Sequence, residues 1–171
     1  MKGKTTKNKN IVILIILMLF GSACCFGLSF QNVNSIKNQE NNTITIPYVC
    51  HNAILSVGST QKDVDENDVC ILTEANNSNF GEKKPVLLAG HNSRSLKKLY
   101  KAKKDDIISV KYLERQYNYK IIYSNECIYD IHALYDIDTK QSMLDLYASE
   151  ELIYIYTCYK NNVWLVKAIR V

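Results

Sequence analysis

The sequence predicts a mainly β domain, a closed barrel of about eight strands with one or two short helices, preceded by a single N-terminal transmembrane helix. Three observations predict it. Between residues 44 and 171 the apolar residues fall in short β-branched and aromatic runs, separated by Asn, Asp, Gly and Lys turn signals. No internal repeat divides these runs, and the last can return beside earlier ones, which favours closure into a barrel over a sandwich. Ahead of them, residues 11–30 contain no charged side chain.

Residues 1–10 carry Lys2, Lys4, Lys7 and Lys9 and no acid, and read as a cytoplasmic basic tail. Twenty uncharged, mostly apolar residues cross a hydrocarbon core of about 30 Å as a helix. Lysines before the span and none just after it orient the chain N-terminus in, domain out. Residues 11–30 are therefore expected to be a signal anchor in the cell membrane, since a cleaved signal has a shorter apolar core. A second reading stays open: Gly21-Ser22-Ala23-Cys24 resembles a lipoprotein signal with Cys24 lipidated, although Gly21 stands where a branched apolar residue is expected. Residues 31–43 are rich in Asn, Gln and Ser and read as a polar stalk. Four of the 21 basic residues lie in the tail, so 17 remain opposite 17 acids. A near-neutral extracellular domain over 44–171 argues against a nucleic-acid partner.

Within the domain, Ile44–Cys50 and Asn52–Gly58 read as extended runs, with Pro47 suiting an edge. Ser59–Asp68 is a polar connection with room for one helical turn. Val69–Thr73 is a short strand, and 74–84 a loop of Asn, Ser and Gly81. Pro85–His91 reads as a strand buried on both faces. Ser95–Lys101 has helical spacing, with Leu96, Leu99 and Tyr100 on one side. Ile107–Tyr112 and Tyr117–Tyr123 alternate as strands, and Ile128–Ile137 is extended. Gln141–Ala148 reads as a short helix with Met143, Leu144 and Tyr147 on its apolar side. Glu151–Tyr159 and Val163–Ile169 close the chain as strands.

A nucleophile is the first chemistry to look for. The apolar run ending at Cys158 meets a polar turn, Lys160-Asn161-Asn162, so a rigid strand would present a thiol at its rim. Cys24 and Cys25 fall in the span; Cys50, Cys70 and Cys127 read as small buried apolar residues, and their spacing matches no zinc pattern. His51, His91 and His132 are the available bases. His51 and His132 sit inside extended runs and read as packing or surface residues. His91 follows a buried run and Gly90, and leads into Asn92-Ser93-Arg94, where a histidine can pair with a thiolate and later act as acid. A structural cysteine in a membrane-tethered β domain is the bland alternative.

Leu87-Leu88-Ala89-Gly90-His91-Asn92 resembles the histidine-bearing strand end of sortases, the cell-wall and pilus transpeptidases of Gram-positive bacteria. Tyr156-Thr157-Cys158 is similar to that family's Leu-x-Thr-Cys signature, and the remaining elements of 44–171 fall in family order. The resemblance implies an eight-stranded sortase barrel that cleaves a C-terminal sorting signal of the Leu-Pro-x-Thr-Gly kind. Cys158 would be the nucleophile and His91 the acid and base, passing surface or pilin proteins through a thioacyl-enzyme to an amine on a wall precursor or pilin. No cofactor is implied beyond the calcium that some members bind. The acidic connection Asp63, Asp65, Glu66 and Asp68 fits no EF-hand pattern and reads better as a solvated turn.

One family residue does not carry over. Sortases place an arginine on the last strand, and alignment on Trp164–Ala168 puts Val163 there. Arg170 lies about 23 Å along the strand and on the other face, and Lys167 about 13 Å along. The candidate substitutes are Arg94, for substrate binding or oxyanion stabilisation, then Lys160 and Asn162; a plain surface arginine is the alternative for Arg94. Loss of one oxyanion donor typically costs about 10²–10³-fold in rate. This motivates a second functional reading, a sortase-like domain that binds peptide or a partner without turning it over.

Overall fold

The computed structural model describes residues 42–73, 78–130 and 133–171. The expected anchor, Cys24 and nearly all of the expected stalk lie outside the described residues, as does His132. No helix among the described residues is long and apolar enough to cross a membrane.

Among the described residues nine strands form one sheet: β1 (Thr43–Ile46), β2 (Cys50–Gly58), β3 (Val69–Leu72), β4 (Val86–Ala89), β5 (Ile107–Tyr112), β6 (Arg115–Asp130), β7 (Ala133–Asp136), β8 (Leu152–Tyr159) and β9 (Asn162–Arg170). They run in the order β5-β1-β2-β3-β4-β8-β9-β6-β7, and a β5–β6 pairing closes eight of them into a barrel. The ninth, β7, hangs from the distal end of β6. Pairing is antiparallel except at β2–β3 and β4–β8. β6 is 16 residues long because it serves three partners in turn: β5, then β9, then β7.

Alternation along the strands separates two apolar clusters. The barrel interior holds Val86, Leu88, Ile153, Ile155, Val166 and their neighbours. The opposite face of β4, β8, β9 and β6 holds Leu87, Tyr154, Val163, Leu165 and Cys127, covered by Leu134 and by Met143, Leu144, Leu146 and Ala148. Every residue of β4 is buried, with Val86 and Leu88 in the interior cluster and Leu87 in the outer one. Between β2 and β3, α1 (Gln61–Glu66) is a short helix started by a capping box: the Thr60 hydroxyl accepts from Asp63 N–H, and the Asp63 carboxylate accepts from Thr60 N–H.

Four expected elements differ. Ile44–Cys50 is not one run: β1 ends at Ile46, residues 47–49 with Pro47 form a turn, and Cys50 opens β2. Gln141–Ala148 is not a helix: Ser142 bridges Tyr135, Met143 N–H donates to Leu134 C=O, and Asp145 N–H donates to the Tyr154 hydroxyl. Those partners hold the segment open across the outer cluster and leave Tyr147 almost fully exposed. Ser95–Lys101 winds through tight turns into a single 3-10 turn at Leu99–Lys101, driven by burial of both Leu96 and Leu99. The run expected over Ile128–Ile137 is the end of β6 folded back on β7, with Asp130 opposite Ala133.

Candidate active site

The parallel pairing of β4 and β8 sets Val86 opposite Ile153 and Ala89 opposite Tyr156. Continued two residues beyond the ladder, the same register sets position 91 beside position 158, on strands whose axes are about 4.8 Å apart. Cys158 belongs to the outer face, in line with Tyr154 and Tyr156 on β8. Cys158 is exposed, and none of the four described cysteines is in a disulfide. The other three thiols are held neutral by burial, which pushes Cys50 and Cys70 up to about 11 and raises Cys127 as well. Only Cys158, among the four, is exposed.

Two contacts lock the strand ends together. The buried Thr157 hydroxyl donates to Gly90 C=O at 2.7 Å, and Gly90 N–H donates to Tyr156 C=O at 3.3 Å. Gly90 is required there by space: a Cβ would lie 2.8 Å from Asp68 O and 2.8 Å from Leu96 Cδ1. The threonine of the Thr-Cys pair and the glycine of the Gly-His pair thus serve one purpose, keeping the thiol and the imidazole at a fixed level.

Beyond Gly90 the chain turns sharply. Ser93 N–H donates to His91 Nδ1 at 3.2 Å, and Ser93 Oγ lies 2.7 Å from the same nitrogen. A backbone donor aimed at Nδ1 places the neutral ring's proton on Nε2. When the ring is charged, Nδ1–H can donate to Ser93 Oγ, so both protonation states have a partner. Further on, Tyr100 packs on Tyr159 and Trp164, with ring centroids 5.8 and 6.5 Å away. These rings tie the His91 loop to the hairpin that carries Cys158.

The two-residue turn Lys160-Asn161 joins β8 to β9 and puts Val163 directly opposite Cys158. Cys127 of β6 is the next partner of Val163, and Asp136 of β7 the next partner of Cys127. Cys158, Val163, Cys127 and Asp136 therefore form one cross-strand row on the outer face. Its far end is pinned: Asp136 accepts from the Tyr123 hydroxyl at 2.6 Å and from Thr139 N–H at 2.8 Å. The Tyr123 hydrogen bond, before the others, pulls the Asp136 carboxyl down to about 2.

The family model for the sortase domain matches residues 44–170, nearly the whole of this barrel. The chain belongs to the sortase family. Its members are cysteine transpeptidases that act on proteins bearing sorting signals, pilins among them. Sortase C1 from Streptococcus agalactiae is 22% identical and superposes with a TM-score of 0.60 over 79% of this chain and 69% of its own. The Clostridium perfringens sortase D5 transpeptidase is 20% identical, with a TM-score of 0.60 over 84% of this chain and 88% of its own. A lid mutant of Corynebacterium diphtheriae sortase A is 18% identical, with a TM-score of 0.58 over 77% and 70%. At these identities the likeness is one of fold. None of the curated proteins compared matches the chain.

Against the sortase pattern, Val163 lies beside the thiol as the alignment expects, buried in the outer cluster. Arg170 is at the far end of β9, within 3.8 Å of Glu151 and over the Tyr117 and Tyr119 rings. Lys167 lies over Tyr154, and Lys160 over Tyr159 on the face opposite Cys158. Asn162 is also on that opposite face, and its amide donates to Glu126 at 2.6 Å, so it cannot serve the outer row as the sequence suggested. Arg94 is exposed in the turn after His91, with its backbone N–H on His91 C=O. Among the tyrosines of β8, Tyr154 is buried with its hydroxyl on Asp145, while Tyr156 lines the face next to Cys158.

Other expected sites resolve into local structure. Asp63 accepts from Ser59 and Thr60, Asp65 from Gln61, and Glu66 pairs with Lys62, so each carboxylate has a local partner. His51 is exposed on β2 beside Asn52.

Proposed function

We propose that this chain is a membrane-anchored sortase transpeptidase in which Cys158 is the nucleophile and His91 the acid and base. The observation supporting the proposal is the β4–β8 register, which, continued two residues beyond Ala89 and Tyr156, sets position 91 beside the exposed Cys158. A sorting-signal peptide of the Leu-Pro-x-Thr-Gly type lies along the outer face, between β4 and β8 and the 134–148 wall. The Cys158 thiolate adds to the carbonyl of the Thr–Gly bond. The tetrahedral intermediate collapses as His91 gives its proton to the departing glycine amine, leaving a thioacyl-enzyme. His91 then takes a proton from the incoming amine of a wall precursor or pilin as that amine displaces the thiolate; water in its place gives hydrolysis. Two side chains carry every proton of this scheme, and no cofactor enters it.

Arg94 is proposed as a substrate-binding group on the His91 side of the groove, supported by its exposure in the turn that His91 begins. The N-terminal anchor and stalk would hold the domain on the outer face of the cell membrane. The test is cleavage and transfer of a Leu-Pro-x-Thr-Gly peptide to a small amine, followed by chromatography. Wild-type chain turns over, and Cys158→Ala and His91→Ala do not; a wild type that binds the peptide without cleaving it supports the second reading, a non-catalytic peptide-binding domain, which Val163 beside the thiol favours.

A further inference from the structure

The outer row leaves a specific gap. A thioacyl reaction needs a donor for the carbonyl oxygen that becomes negative, placed on the β9 side of Cys158, and Val163 supplies none. The neighbouring strand does. Tyr129 lies two residues beyond Cys127 on β6, and its cross-strand partner on β7 is Leu134. Leu134 packs in the same outer cluster as Val163, so Tyr129 shares the face of Val163 and Cys158. It sits one step nearer the hairpin tip than the Cys158–Val163–Cys127 row and is 60% exposed. Two strand spacings across and two residues along place its Cα about 12 Å from that of Cys158. The cysteine side chain, one acyl carbonyl and a tyrosine ring laid end to end fill that distance.

We infer that the Tyr129 hydroxyl donates the hydrogen bond to the substrate's carbonyl oxygen in this sortase, in the role the family gives to arginine. Val163, a small apolar residue on β9, is all that lies in the row between Cys158 and β6. A second observation links the two strands. The Tyr156 phenol, on the Cys158 strand, is raised chiefly by burial, and Tyr129 and Cys158 are the charges that add to it. Tyr129 and Tyr156 are four residues and two strands apart on one face.

This inference rests on the proposed transpeptidase reading, and one set of variants separates the two. With full-length chain and a Leu-Pro-x-Thr-Gly peptide, Tyr129→Phe keeps the ring and removes the hydroxyl. The expected result is a fall of about 10²-fold in kcat with KM nearly unchanged, the mark of a donor used in the transition state. Adding Val163→Arg to Tyr129→Phe restores activity by about tenfold or more, because the guanidinium returns to its usual strand; a packing role would not be rescued. Should the arginine prevent folding, the split between kcat and KM decides alone. Wild-type kcat in Tyr129→Phe, or a loss found only in Tyr156→Phe or Arg94→Ala, overturns the assignment and leaves the transpeptidase standing. No turnover by wild type overturns both.

Discussion

Replacing Gly90 by alanine tests how the site is held. The added methyl would lie 2.8 Å from Asp68 O and 2.8 Å from Leu96 Cδ1, each 0.6 Å inside the 3.4 Å at which ordinary contact begins. Leu96 is fully buried and has nowhere to retreat, and the carbonyl of Asp68 belongs to the backbone leading into β3. The clash is therefore relieved by moving β4 at Gly90, which carries His91. Overpacking of this kind costs about 1–3 kcal/mol of stability. Displacing a catalytic group by about 1 Å can cost 10²-fold in rate, so a shift of half that size predicts roughly a tenfold slower acylation of Cys158. Urea unfolding measures the first effect, and single-turnover acylation by a sorting-signal peptide the second. A Gly90→Ala chain as stable and as fast as wild type would refute the close approach of β4 to Asp68 and Leu96, and with it the explanation for the glycine.

Three further outcomes follow from neighbouring contacts. Thr157→Val keeps the shape but strands the Gly90 carbonyl without its 2.7 Å donor, and should destabilise the domain by about 1–3 kcal/mol in urea unfolding while slowing acylation. A small thiol reagent at pH 8, mapped by peptide mass, should modify Cys158 first among Cys50, Cys70, Cys127 and Cys158, because burial keeps the other three as thiols. Asp136 is held at about 2 against about 3.9 in an unfolded chain, so its stabilisation is complete above pH 4 and lost as pH falls toward 2. Asp136→Asn should flatten the urea midpoint between pH 4 and 2, and an unchanged slope there would contradict the Tyr123–Asp136 contact.

Much of this fold is written in local pattern. β-Branched and aromatic runs mark most of the strands, because each strand has at least one face in an apolar cluster. His91 and Cys158 are legible as strand-end residues for the same reason: the apolar runs stop at them. Elements whose shape is set by distant partners were harder to read. Ser124, Asn125 and Glu126 look like a break in β6, yet Ser124 accepts from Trp164 and Glu126 from Asn162, and those bonds carry the strand through. Gln141–Ala148 has apolar residues at helical spacing, but the edge of β7 and the Tyr154 hydroxyl override that weak preference. Thr157 and Gly90 are visible in the motifs, but the bond between them depends on a parallel pairing of strands 67 residues apart. Tyr129 carries no motif; only the pairing of β8, β9, β6 and β7 puts it on the face that carries Cys158.

The central claim is that Cys158, held beside His91, forms a covalent acyl-enzyme. Intact-mass measurement of the chain after brief mixing with a Leu-Pro-x-Thr-Gly peptide tests it most directly. The account predicts a mass gain equal to the peptide cut after threonine, located on Cys158, absent from Cys158→Ala and removed by an added amine. A chain that gains no mass, or gains it on another residue, would contradict it.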